Sequence, residues 1–141
     1  MKKVFLFGDN DYDSNRLKKL LDERYPGQYE LFHVYSKIEL CLGIEKFYDN
    51  AVFIIGLYLK NGPDDGLNCI KWLRGRGYKN PIFVWSKLAF AYRRKAHDAG
   101  ADKVFEKYVE DEKLLKAIMD EPYIDDEEAQ MKASLQQNQK K

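Results

Sequence analysis

Histidine, cysteine and proline are scarce in this chain of 141 residues, which holds two, two and four of them. His33 and His97 stand alone, with no nucleophile patterned beside either, so a histidine-based catalytic pair or zinc site has no foothold. Cys41 and Cys69 each fall in an amphipathic pattern, which reads as two buried reduced thiols rather than a disulfide or metal site. Charge of one sign is lacking as well. Lys and Arg number 24 against 23 Asp and Glu, a formal net charge of +1, so no strong field is available to hold nucleic acid or a membrane surface. No apolar run approaches the roughly 20 residues needed to cross a bilayer. Met1-Lys2-Lys3 passes straight into a strand-like run that meets Asp9, unlike a signal peptide, and a cytoplasmic location is the expectation.

What is present is a repeated switch between short apolar runs and helical spacing. Val4-Phe5-Leu6-Phe7 is a continuous apolar run, as in a strand buried on both faces. The acidic loop Asp9-Asn10-Asp11-Tyr12-Asp13 follows, then Leu17, Leu20 and Leu21 at helical spacing, ended by Tyr25-Pro26-Gly27. Tyr29 to Tyr35 reads as a second strand. Ser36 and Glu39 match a capping box before a helix carrying Leu40, Ile44 and Phe47. Ala51 to Ile55 is the third and most hydrophobic strand, and so the expected centre of the sheet. The turn-rich stretch 60–66 leads to a helix with Leu67, Ile70 and Leu73, stopped by Gly75 and Gly77. Ile82 to Trp85 is a fourth strand, Leu88 to Ala99 a fourth helix, Val104-Phe105 a short fifth strand, and Leu114, Leu115 and Ile118 mark a fifth helix. Strands alternating with helices at this spacing imply an α/β fold with a parallel sheet covered on both faces. After Pro122 the composition turns polar. The expected division is a globular domain, 1–121, and a tail, 122–141, either helical or disordered.

In an open α/β sheet, chemistry gathers at the carboxyl ends of the strands. Those ends read Gly8-Asp9, Gly56, Ser86 and Lys107. Together with Ala99-Gly100-Ala101-Asp102 before the fifth strand and Asp65-Gly66 at the third helix, they resemble the receiver domains of bacterial two-component signalling over residues 2–120. The resemblance implies a five-stranded parallel sheet in a (βα)5, flavodoxin-like three-layer sandwich. In that family, acidic residues after the first strand hold Mg²⁺, and an aspartate ending the third strand accepts a phosphoryl group. A Ser or Thr ends the fourth strand and a Lys the fifth.

The departures set the functional expectation. Gly8 and Asp9 stand at the family's acidic pair, so one carboxylate is missing, and Gly56 occupies the phosphoacceptor position. Tyr108 replaces the usual proline after the lysine, and Val104 the usual aromatic switch residue. Glycine offers no nucleophilic oxygen for phosphoryl transfer, and Mg²⁺ prefers several oxygen ligands. Asp9, with Asp11 nearby, is the only candidate metal-ligating pair, so no cofactor is expected beyond weakly held Mg²⁺. Lys107 is freed to pair with Asp9, and Ser86 either meets a ligand or bonds to backbone. The resemblance thus implies a degenerate receiver domain, not an enzyme, that acts in a phosphorelay as a phosphorylation-independent protein-interaction module.

The partner face implied by the resemblance is that of the fourth helix, fifth strand and fifth helix, with Phe90, Tyr92, Arg93, Arg94 and Tyr108. A protein partner, or a second copy of the chain in a homodimer, is expected there, with no nucleic acid and no membrane. Two rivals stay open. One is a phosphorylatable receiver using Asp64 or Asp65, eight and nine residues past Gly56. The other is a small Mg²⁺-dependent phosphatase-like or ligand-binding domain using Asp9, Ser86 and Lys107. Calcium-loop spacing fails at Ser14 and Leu20, where Gly and Glu are required.

Overall fold

The computed structural model describes residues 1–8, 11–34, 50–57 and 63–124. Five strands, β1 (Lys2–Phe7), β2 (Tyr29–Val34), β3 (Ala51–Ile55), β4 (Ile82–Ser86) and β5 (Lys103–Glu106), form one sheet in the order β2-β1-β3-β4-β5. Every adjacent pair is parallel. The described helices are α1 (Asp11–Arg24), α2 (Pro63–Gly75), α3 (Ala89–Ala99) and α4 (Asp111–Ile118). The helix expected from Ser36 to Phe47 lies outside the described residues, as do Tyr35, Cys41 and the tail from residue 125.

The fully apolar β3 sits at the centre because only a strand flanked on both edges and both faces can bury five successive apolar side chains. Alternation along the strands divides the core into two layers. Phe5, Phe7, Phe53 and Ile55 point towards α2 and α3, which contribute Leu67, Ile70, Leu73, Ala89, Ala96 and Ala99. Val4, Leu6, Val52, Ile54, Phe83 and Trp85 point the other way, towards Leu17 and Leu21 of α1 and Leu114, Leu115 and Ile118 of α4. Cys69 is buried in the first layer. Tyr123 packs on the second, its ring 6.1 Å from that of Phe105.

Two local features explain motifs in the sequence. Helix α1 begins at Asp11, so the last three residues of the expected acidic loop are helical. Asp11 and Asp13 lie in the first turn, where carboxylates stabilise the exposed amides. In the run 99–102, Gly100 adopts φ +121, and a Cβ there would lie 2.5 Å from Cγ of Arg74. Arg74 donates to the carbonyls of Gly100, Tyr78 and Asn80 and to Oδ2 of Asp102, which also accepts from the Ile82 amide. One arginine thereby ties the end of α2 to the start of β5, and the glycine leaves it room.

Candidate functional site

The strand order reverses direction between β1 and β3, the point at which open α/β sheets place their crevice, at the carboxyl ends of the strands. Gly8 and Gly56 immediately follow those strands. The Gly8 amide donates to the Val34 carbonyl at 3.1 Å, and the Gly56 amide to the Phe7 carbonyl at 3.3 Å. Gly56 has no positive φ and, among the described residues, room for a Cβ, which would lie 3.9 Å from the Phe7 carbonyl oxygen and 4.0 Å from that of Trp85. The position is therefore empty of chemistry by residue type and not by space. Gly66 differs. Its Cβ would meet the Gly56 carbonyl oxygen at 2.6 Å and Leu57 Cα at 2.8 Å, so glycine lets α2 lie directly against the end of β3.

Ser86 is buried at the end of β4, where its Oγ accepts the Leu88 amide at 3.1 Å. That is the backbone-bonded arrangement, and it shapes the turn into α3. Lys107 follows β5, its amide donating to the Ser86 carbonyl at 3.0 Å. Its Nζ lies 2.8 Å from Oδ2 of Asp13, with side-chain exposures of 11% and 18%, and 5.0 Å from the centroid of the Trp85 ring. The carboxylate expected opposite Lys107 was Asp9, which lies outside the described residues; the partner found is Asp13. Asp11 is largely exposed, with Oδ1 3.7 Å from Nδ1 of His33. Among the described residues no group of three or more His, Cys, Asp or Glu side chains could hold a metal ion.

Sequence reasoning missed two groups. His33, which the sequence leaves isolated, is brought by β2 to the crevice, its Nε2 2.8 Å from the Gly8 carbonyl oxygen. Asp111, at the first position of α4, is a buried carboxylate with four donors. Trp85 Nε1 and the Tyr108 amide reach Oδ1, both at 2.8 Å, while Arg16 Nε and Nη2 reach Oδ2 at 3.0 and 2.6 Å. This satisfaction is what permits a carboxylate to be buried there. Asp111 in turn raises the Arg16 guanidinium above its ordinary pKa, mainly through the hydrogen bond. A clue lay in Trp85 itself, since a buried indole N–H needs an acceptor. Nothing local in the sequence identifies that acceptor as a residue 26 positions away.

The expected partner face is split by the structure. Phe90 and Arg94 are exposed, whereas Tyr92 is half-buried against the first core layer. Arg93 is half-buried and 3.6 Å from Glu110. Tyr108 is exposed, with Arg16 over its ring at 4.6 Å and Lys87 at 5.2 Å. The side chain of Asp64 lies outside the described residues, and Asp65 is half-buried within α2.

No protein-family model matches the sequence, and no curated protein matches it. Solved structures do match. A response regulator receiver protein from Pseudoalteromonas atlantica aligns with a TM-score of 0.70 at 21% identity, over 84% of this chain and 97% of that one. A response regulator from Thermotoga maritima aligns with a TM-score of 0.69 at 14% identity, over 85% and 96%. The receiver domain of a sensor histidine kinase from Pseudomonas aeruginosa, with magnesium coordinated in its active-site cleft, aligns with a TM-score of 0.65 at 15% identity, over 83% and 93%. No described helix is long and apolar enough to cross a membrane. The five-stranded parallel sheet, its strand order and these likenesses together give the chain the fold of response-regulator receiver domains.

Proposed function

We propose that the chain is a degenerate receiver domain, residues 1–121 with a polar tail, that binds a protein partner in two-component-type signalling without being phosphorylated. The observation that carries this reading is Gly56, which stands at the carboxyl end of the central strand where receivers carry the phosphoacceptor aspartate. Glycine has no oxygen with which to attack a phosphoryl donor. The Lys107–Asp13 pair supports the same reading, because the ammonium that would neutralise an incoming phosphoryl group already has a carboxylate 2.8 Å away. Ser86 is likewise engaged, by the Leu88 amide. An exposed aromatic and cationic surface around Phe90, Arg94 and Tyr108 is the side offered to the partner. The role is non-enzymatic and cytoplasmic, and any Mg²⁺ at Asp9 and Asp11 would be weakly held.

The test is incubation of the full chain with acetyl phosphate and Mg²⁺, followed by mass measurement and amide NMR with beryllofluoride. The expected result is no added phosphate and no saturable shift at Gly8, Gly56 or Ser86. Stoichiometric, acid-labile phosphate would falsify the reading. Loss of that label on Asp64→Asn or Asp65→Asn would then identify the substitute acceptor.

A further inference from the structure

Six large apolar side chains are exposed among the described residues, and four of them belong to the segments that follow the carboxyl ends of β1, β4 and β5. Tyr12 is 62% exposed at the start of α1, Phe90 78% at the start of α3, and Tyr108 and Val109 41% and 76% in the turn between β5 and α4. Tyr108 is held in a costly conformation. Its φ is +75, a region that a bulky non-glycine residue rarely adopts and that the surroundings must enforce. Those surroundings are built for it. Its amide donates to the buried Asp111, and its ring carries Arg16, one helical turn on from Tyr12, on one flank and Lys87 on another. The result is an aromatic side chain fixed at the surface before any partner arrives, which lowers the ordering cost of binding. Rigid Tyr side chains are also enriched at interface hot spots.

Charged side chains link and flank these residues. Arg93 lies 5.9 Å from the Phe90 ring centroid and 3.6 Å from Glu110, bridging Phe90 to the Val109 turn. The nearby acids are already matched: Glu110 by Arg93 and Lys113, Asp111 by Arg16, Asp13 by Lys107. Among the described residues, Lys87, which lies over the Tyr108 ring, and Arg94, one helical turn on from Phe90, are exposed cations beside these side chains, and Asp11 is an exposed acid beside Tyr12.

We infer that Tyr12, Phe90, Tyr108 and Val109 form a preorganised docking surface for a partner segment that carries carboxylates beside an apolar side chain. Tyr108 is the anchor, and Lys87 and Arg94 select the acidic flanks. This rests on the interaction-module reading and names the partner's chemistry.

The test is to pan a random peptide library on the full chain and measure the affinity of synthetic copies of the selected peptides. Sequences with Asp or Glu next to Trp, Phe or Leu are expected. Their affinity should fall roughly tenfold or more in Tyr108→Ala and in Phe90→Ala, and should weaken with added salt. Tyr108→Gly relieves the positive φ while removing the ring, so it gives the same loss in a chain whose fold is not in question. Selection of neutral or basic peptides, or affinity unchanged by all three substitutions, overturns the surface. A monomer–dimer equilibrium abolished by Tyr108→Ala would also overturn it, in favour of a second copy as occupant. Repeating the titration with Mg²⁺ and beryllofluoride separates the two claims. Binding that requires them sinks the phosphorylation-independent reading and leaves the surface standing.

Discussion

Nζ of Lys107 and Oδ2 of Asp13 are 2.8 Å apart although 94 residues separate them, and both side chains are mostly shielded from water. One comes from the end of β5 and the other from the first turn of α1, so the pair ties these two elements together. A shielded pair gains more from attraction than a surface pair, and removing one member leaves the other desolvated and unmatched. Asp13→Asn should therefore destabilise the chain by about 1–3 kcal/mol, read as a lower urea midpoint with unchanged slope. Lys107→Met, which keeps the stem and removes the charge, should cost less than Lys107→Ala. Equal stability of all three with the parent chain would show the pair to be energetically idle.

The two glycines beside the crevice make opposite predictions. Gly56→Asp should fold with a change within about 1 kcal/mol, since the new Cβ meets no atom of the described residues closer than 3.9 Å. Gly66→Ala places a Cβ 2.6 Å from a backbone oxygen and should cost about 2–4 kcal/mol through displacement of α2. Thermal unfolding of the two variants side by side decides this, and similar midpoints would refute the close approach of α2 to β3.

These cases mark what could be read from the sequence. The five strands and the apolar faces of the helices at Leu17 to Leu21, Leu67 to Leu73, Leu88 to Ala99 and Leu114 to Ile118 follow from apolar periodicity, because burial on one face or both leaves a direct trace in residue order, whereas the stretch 60–66, expected as a loop, is helical from Pro63. The sequence also implies glycine where β3 ends. The start of α1 was hidden, since Asp and Asn favour loops and helix N-termini alike. The partners inside the site were hidden for a different reason. Asp11 and Asp13 are equivalent candidates for Lys107 by type and neighbourhood, and the helical phase of α1 brings Asp13 to it. His33 sits in a strand whose alternation marks it as ordinary, yet the parallel register pairs it with Leu6 and brings its ring to the Gly8 carbonyl.

Trp85 and Asp111 should show coupling that neither residue shows alone. Trp85→Phe removes one of four donors to a buried carboxylate and should cost about 1–2 kcal/mol. Asp111→Ala strips acceptors from Arg16, Trp85 and the Tyr108 amide together and should cost about 3–5 kcal/mol. In the double variant the two losses should add to less than their sum, by about 1 kcal/mol. Strict additivity in a double-mutant cycle would mean that the hydrogen bond contributes nothing net.

Alkali should unfold the chain through the two tyrosines that flank the turn after α1. Burial, reinforced by the Glu121 carboxylate, pushes the Tyr25 phenol up to about 12. Burial and the hydrogen bond to Asp22 push Tyr29 still higher. Both groups ionise at their ordinary value of 10.0 once the chain unfolds. The folded state holds these protons more tightly than the unfolded one. Their contribution is therefore complete below pH 10 and is lost as pH rises through the folded values. Unfolding free energy measured in urea should stay level on this account up to about pH 9 and then fall. In Tyr25→Phe/Tyr29→Phe, which cannot ionise at either site, the decline between pH 10 and 12 should be visibly shallower than in the parent. Parallel curves would show that these phenols are no more protected in the folded chain than in the unfolded one.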